Sequence, residues 1–482
     1  MPSKSREVLG RGSIYTLATA APVLTGVMIL PIITRQLSII EYGHVAVAIV
    51  VVQLGVGVAG LGLPTAIIRH ALVADSGPAG ARGIALFAAG LAATAATISV
   101  GALLLWGWVS GTDGVAIFAI ACVAAGAGAI SANVQAYCLA TRDAWTYVAI
   151  AFGLSLGAPL AGLGAVLVFG PSATQYMTGF FAIYVVVAAF TLAKVVRTRP
   201  IVLTRQDASQ ALHISLPMLP YLLSIGLVPG SMILVAAHML GPAAGAEIQV
   251  AINVGSVPLI ITSAINNAWM PAILSTSEGT RGAHLEETAS DVAWLAAIGG
   301  GGVALLSPWL LQFVSSEEYN RAAMVPVAAI LGLVAPVASA FLADSQLVLA
   351  AGATRVFAYA SPMALALGVA AGALFAQVVG LGAFACGFVV VYAVLALATR
   401  AAARRYSATR WRHSVIIAPV VVALASASLG VFLPTSGEAA LWRLVVAALL
   451  AGVAMHRIRK VFGLASRHLT TSRRVKARAW HG

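Results

Sequence analysis

The sequence predicts an all-α polytopic membrane protein of about 14 transmembrane helices: two pseudo-symmetric six-helix lobes plus two C-terminal helices. Three observations carry that prediction. Of 482 residues, 60% are hydrophobic and only 9% charged, against roughly 25% charged in an ordinary soluble domain. Polar residues are therefore too few to cover a water-facing surface. Apolar runs of about 20 residues, the length that crosses a bilayer, recur between charged or turn-rich breaks. The basic residues then sort onto one side of those runs.

The runs fall at 13–34, 44–66, 83–106, 114–139, 147–169, 175–196, 212–237, 248–273, 292–314, 325–350, 356–376, 383–399, 414–433 and 439–456. The first is long, holds Pro22 and Pro31 and leads into another span, so it reads as a span rather than a cleaved leader. Residues 1–12 precede an N-terminal lobe at 13–196. The connection 197–211, with Pro200 and several charges, divides it from a C-terminal lobe at 212–399. A basic loop and two further spans occupy 400–456, and a basic tail 457–482. At an offset of about 203 residues, Arg35 falls on His238, Leu37 on Leu240 and Val47-Ala48 on Val250-Ala251. An even span count gives both units the same orientation, a parallel repeat of the kind that places a transport site between halves.

When loops are assigned to alternate sides, Arg35, Arg321 and Arg443 face one side and the other 25 of the 28 Lys and Arg face the opposite side. Cytoplasmic loops carry the basic excess, so both termini are expected in the cytoplasm. The formal charge of +13 then marks proximity to the inner leaflet rather than nucleic acid. Cations of the tail (Arg457, Arg459, Lys460, Arg473, Arg474, Lys476, Arg478) are expected to attract anionic lipids at about 1 kcal/mol each.

Polar residues at helical spacing inside these runs are the candidates for chemistry. Tyr221, Ser224, Ser231 and His238 share one face of the seventh span, and Gln249, Asn253, Ser256, Ser263 and Asn267 one face of the eighth. Hydrocarbon cannot satisfy those groups, so the stripes predict a water-accessible cavity over interhelical hydrogen bonding alone. Ser131, Gln135 and Cys138 form a shorter set, read as packing. Asp344, about six residues inside the tenth span, is a candidate proton or sodium site. Arg35 and Arg69 close the first and second spans, where a guanidinium can snorkel to the interface or grip a phosphate with paired hydrogen bonds.

Other motifs fail on context. Gly55-Val56-Gly57-Val58-Ala59-Gly60 reads G-x-G-x-x-G but lies mid-span, where close helix packing is the better account. Gly153/Gly157 and Gly368/Gly372 are read as packing pairs. Cys122, Cys138 and Cys386 sit in apolar runs as small core residues. With no P-loop, no paired-histidine motif and no long acidic loop, the chain is not expected to be an enzyme, and no metal or cofactor is called for beyond a coupling proton or sodium ion.

Gly12-Ser13-Ile14-Tyr15, Leu30-Pro31-Ile32-Ile33-Thr34-Arg35-Gln36-Leu37-Ser38 and Glu41-Tyr42-Gly43 resemble the start of bacterial O-antigen-type polysaccharide flippases. These belong to the multidrug/oligosaccharidyl-lipid/polysaccharide exporter superfamily. Leu61-Gly62-Leu63 with Ala66 and Arg69, Ser215 to Pro220, and Leu240-Gly241-Pro242 extend the resemblance over about residues 10–400; Glu318-Tyr319 and Gly352 are weaker echoes. The resemblance implies alternating access around a cavity lined by helices one, two, seven and eight. It implies flipping of undecaprenyl-pyrophosphate-linked oligosaccharide across the bacterial cytoplasmic membrane for cell-surface polysaccharide synthesis, with a polysaccharide polymerase as a candidate partner. Arg35, Arg69, Tyr221, Ser224, His238, Gln249, Asn253 and Asn267 are the expected substrate contacts. Where many relatives carry an acidic-basic pair on the seventh helix, this chain has Pro229-Gly230-Ser231. A drug/cation antiporter of the same superfamily and a non-transporting scaffold in envelope assembly remain the alternatives.

Overall fold

The computed structural model describes residues 25, 28–73, 76–111, 115–198, 200–275, 278–353 and 355–457, those at 73, 267–275 and 278 by their backbone alone. Every regular element among them is helical. Among the described residues, twelve helices are long and apolar enough to cross a membrane, thirteen if one bent pair counts as a single span. Most of the first expected span, and the basic tail beyond Arg457, lie outside the described residues.

Sequence chemistry sets the helix ends. After α1 (Leu30–Gln36), Ser38 caps α2 (Ile39–Gly60) by accepting from the Glu41 N–H at 3.3 Å, with Glu41 in the first turn. The second expected span runs through 66, but α2 stops at Gly60: Leu61 and Gly62 adopt left-handed φ of 50° and 68°, which ends the helical ladder. A separate helix follows, α3 (Leu63–Val73), and it carries Arg69. Next come α4 (Gly77–Ser110), α5 (Val115–Ala140), α6 (Ala144–Phe169) and α7 (Ala173–Arg197). Asp143 and Ser172 cap α6 and α7.

The second group opens with α8 (Arg205–Leu240), started by a Thr204/Asp207 capping box. Gly241 (φ 94°) stops α8 and Pro242 starts α9 (Pro242–Gly255), each residue at the position its backbone favours. The helix then bends by 49° into α10 (Val257–Ser275). The group continues with α11 (Glu278–Val314), α12 (Arg321–Ala350), α13 (Arg355–Val379) and α14 (Leu381–Tyr406). It ends with α15 (Ser414–Phe432) and α16 (Glu438–Arg457).

Helices α2 to α7 pack mainly on one another, and so do α8 to α15. The two groups meet where α2 lies against both α8 and α9. Small residues let backbones approach there: a Cβ on Gly43 would overlap the Pro242 carbonyl, and one on Gly230 would sit 2.6 Å from a Val50 methyl. Gly55 and Gly57 show the expected close packing, against Ala125 and Leu223, but Gly60 has open space beside it. A Cβ on Gly368 would lie 2.7 Å from the Gly387 carbonyl, as at a packing glycine, and one on Gly153 2.9 Å from a Val187 methyl; Gly153 and Gly157 also bound a π-helical segment. Trp106, Trp108, Phe169, Phe432 and Trp442 are exposed at helix ends that alternation places on one side, and Trp145, Tyr359 and Tyr406 on the other. Such aromatic belts mark the two membrane interfaces.

Candidate functional site

A cavity of about 320 Å³ lies between the two helix groups. On α2, Tyr42, Ile49, Val52 and Gln53 follow helical spacing and line it. On α7, Tyr176, Phe180 and Tyr184 recur every four residues and line it as an aromatic strip, the Phe180 and Tyr184 rings stacked at 4.8 Å. In α6, Gly153–Gly157 winds as a π-helix, and this segment contributes Leu154 and Ser155 to the wall. Such single-turn π segments often occur at functional sites. The Thr25 hydroxyl, also in the wall, donates to the Ser155 carbonyl.

The second group supplies Gln249, Asn253, Ser256 and Ile260. Gln249 Nε2 donates to Asn253 Oδ1 at 3.0 Å, leaving the Gln249 carbonyl and the Asn253 amino group without a partner among the described residues. Among the described residues no charged side chain lines this cavity. Its polar atoms are neutral amides and hydroxyls set among aromatic rings.

The expected eighth-span stripe is thus only partly continuous. Spacing along 248–273 takes the helix as straight, whereas it bends by 49° after Gly255: Ser256 and Ile260 still line the cavity, Ser263 is exposed outside it, and the Asn267 side chain lies outside the described residues. Asn266 Oδ1 instead accepts from Gln346 Nε2 at 2.9 Å. The seventh-span set does not line the cavity. Tyr221 packs its ring on Phe357 at 5.3 Å, Ser224 and Ser231 return hydrogen bonds to the carbonyls of Pro220 and Val228, and His238 is exposed. Ser131 and Gln135 bond the Ala127 and Tyr147 carbonyls, as packing residues do.

Arg35 donates to the carbonyls of Pro31 and, at 3.0 Å, Phe313. Beside it Thr34 donates to the Val314 carbonyl at 2.7 Å, and Glu318 accepts from the Ile39 N–H at 3.1 Å. These bonds tie α1 and α2 to the end of α11 on the sparsely basic side. Arg69 is exposed on α3 with no partner among the described residues. Asp344 is buried outside this cavity, its two oxygens 2.9 Å from Trp411 Nε1 and 2.8 Å from His413 Nε2.

Gln53, Ser155, Tyr42, Tyr176, Phe180 and Tyr184 were not singled out in the sequence. Gln53, a lone amide in an apolar run, and the four-residue aromatic recurrence on α7 are the signals that point to them; nothing in the sequence marks the π segment.

A membrane-spanning helical bundle with a polar cavity between two helix groups defines the class, and its fold is shared with solved membrane transporters. No family model and no curated protein matches the sequence, so the likeness is one of structure. The chain is similar to the lipid II flippase MurJ in an inward closed conformation, with 10% identity and a TM-score of 0.67 over 93% of this chain and 99% of that one. It is also similar to an inward-facing multidrug resistance MATE family transporter (15% identity, TM-score 0.57, 80% of this chain and 94% of that one). A MATE transporter of Vibrio cholerae matches at 17% identity and a TM-score of 0.59, covering 83% of this chain and 97% of its own.

Proposed function

We propose that this protein is a flippase for a lipid-linked oligosaccharide, with the sugar passing through the neutral cavity while the lipid tail stays in the bilayer. The observation that carries this reading is the cavity's chemistry. Free amide groups on Gln53, Gln249 and Asn253 match the hydroxyls of a sugar, and the rings of Tyr176, Phe180 and Tyr184 offer flat apolar faces. None of the described lining residues is a carboxylate that could offset the charge of a cationic drug, which would meet ring faces alone. The likeness to a lipid II flippase over 93% of this chain supports the same direction.

Gln249 and Asn253 are the proposed sugar contacts. Arg69 is the proposed phosphate contact on the basic side, since its guanidinium has no protein partner among the described residues, whereas Arg35 is occupied by carbonyls. For Asp344, sodium would have to displace both the Trp411 and His413 donors, so a proton shared with His413 is the proposed coupling ion. The proposed setting is the bacterial cytoplasmic membrane with both termini inside.

The test is transport in proteoliposomes, comparing a fluorescent polyprenyl-diphosphate oligosaccharide with a fluorescent organic cation. The reading expects flipping of the first, none of the second, and loss of flipping by roughly tenfold in N253L, on the scale of one lost polar contact in an apolar site. Export of the cation alone supports the antiporter, and transport of neither supports the scaffold. Flipping that N253L leaves unchanged removes the cavity from the account.

A further inference from the structure

A second cavity, of about 280 Å³, opens where the end of α14 and the 407–413 connection meet α12. Arg400, Arg404, Arg410, Arg412 and His413 line it, together with Asp344 and Ser414. Arg400 and Arg404 lie one turn apart on α14 and so present their charges on one face, an arrangement that destabilises a helix by a few tenths of a kcal/mol. Arg410 donates only to the main-chain carbonyls of Ser407, Thr409 and Arg404. Among the described residues no carboxylate pairs with any of these three arginines.

The carboxylates nearby are already engaged. Asp344 is held by Trp411 and His413, and Glu286 pairs with Arg412 at 2.7 Å. The Glu286 hydrogen bond and charge hold the Arg412 guanidinium above its ordinary range. The dipole at the end of α14 accounts for Arg404 in the last turn. It does not account for Arg400, further back, whose Nε is buried without a hydrogen-bond partner. A buried unmet donor and an uncompensated cluster of three cations are both relieved by one bound anion. Arginine favours phosphate, which it meets with paired N–H groups, and Ser414 adds a hydroxyl. The cavity sits at the end of a membrane-spanning helix on the basic side, the level at which basic pockets between helices hold lipid head groups.

We propose that this cavity binds a phosphate-bearing anion, carried by an acidic phospholipid or supplied as free phosphate, with Arg400, Arg404 and Arg410 as its contacts. The bound anion links α14 to the start of α15 and seals the cavity wall that Asp344 helps to form. The site lies outside the sugar cavity but shares Asp344, the proposed coupling residue, with the transport reading; its test reads lipid adducts and melting midpoints rather than transport, so the two readings fail separately.

The test uses the full chain in phosphatidylcholine nanodiscs or neutral detergent. Native mass spectrometry counts phosphatidylglycerol adducts against phosphatidylcholine adducts, and a parallel thermal melt compares inorganic phosphate with chloride at equal ionic strength. The expected result is a phosphatidylglycerol preference that falls by roughly tenfold in the double variant R400Q/R404Q, the scale of one to two cation–lipid contacts. The tail variant R473Q/R474Q is expected to keep it. A phosphate-specific rise in melting midpoint, lost in R400Q/R404Q, assigns the site to free phosphate instead. The single variant R400Q, with a smaller loss, serves if the double variant does not fold. Neither preference nor midpoint rise in the wild type overturns the proposal, as does a preference that survives the arginine substitutions or vanishes with the tail substitutions.

Discussion

Asn253 occupies a site where its neutrality matters as much as its hydrogen bonds. Replacing it by aspartate keeps the shape and the Gln249 contact but places a charge in a cavity whose described lining has none. N253D is expected to slow oligosaccharide flipping by about tenfold or more, measured as the rate of fluorescent-lipid inversion. Asp143 tests a different kind of carboxylate. Partial burial pushes its acidity the unfavourable way, but bonds from Lys194 at 2.6 Å and from Thr146 outweigh that and hold its pKa below the ordinary range. A lowered folded-state pKa adds stability at neutral pH that is lost as pH falls below the ordinary carboxylate range. Both side chains are about a third exposed or more, so D143N should cost no more than about 1 kcal/mol. Melting midpoints of the two proteins should converge in acid. Gln249 and Asn253 were legible in the sequence because an amide inside an apolar helix has few bland explanations. Ser224 and Ser231 were not distinguishable from cavity residues, since a serine bonded to its own helix carbonyl leaves the same mark in a polar stripe.

At the scale of the element, bends and close crossings decide what the stripes can do. The α9–α10 bend follows Gly255 and precedes Pro258. A proline removes one helical hydrogen bond and crowds the preceding turn, so the sequence held the kink's cause, though not its 49° or its direction. Helices α11 and α12 cross where Gly300 and Gly332 face each other, and a Cβ on either would overlap the other's carbonyl. G332A is expected to separate these helices and cost roughly 1–3 kcal/mol, read as a lowered melting midpoint. Arg443, assigned from sequence to an outward loop, is buried in α16. It donates to the carbonyls of Gly430 at 2.9 Å and of Leu433 at the end of α15. R443M would leave those groups unmet, at roughly 1–3 kcal/mol. Faster hydrogen exchange confined to α15 and α16 checks it.

For the molecule as a whole, composition dictated the class: a chain this apolar has no soluble solution, and helices are the spanning form that meets its backbone hydrogen bonds within each segment. The span pattern followed from hydropathy, apart from the separate α3 after the second span. Contacts between the two helix groups were not legible, because they run through main-chain carbonyls and glycines rather than recognisable side-chain pairs. Thr34, Arg35 and Glu318 make such contacts on one side of the cavity. The alternating-access cycle proposed for this flippase would have to break them. E318Q combined with T34V should weaken this closure and raise thiol labelling of cavity positions from that side.

Labelling of the cavity itself is the most direct measurement. Gln53→Cys and Asn253→Cys, each in a background with Cys122, Cys138 and Cys386 replaced by alanine, would be treated with a membrane-impermeant thiol reagent. Both positions are expected to react, and a polyprenyl-diphosphate oligosaccharide is expected to slow the reaction while an organic cation does not. Thiols that stay unreactive from both sides of the membrane, or that only the cation protects, would contradict a cavity built for sugar.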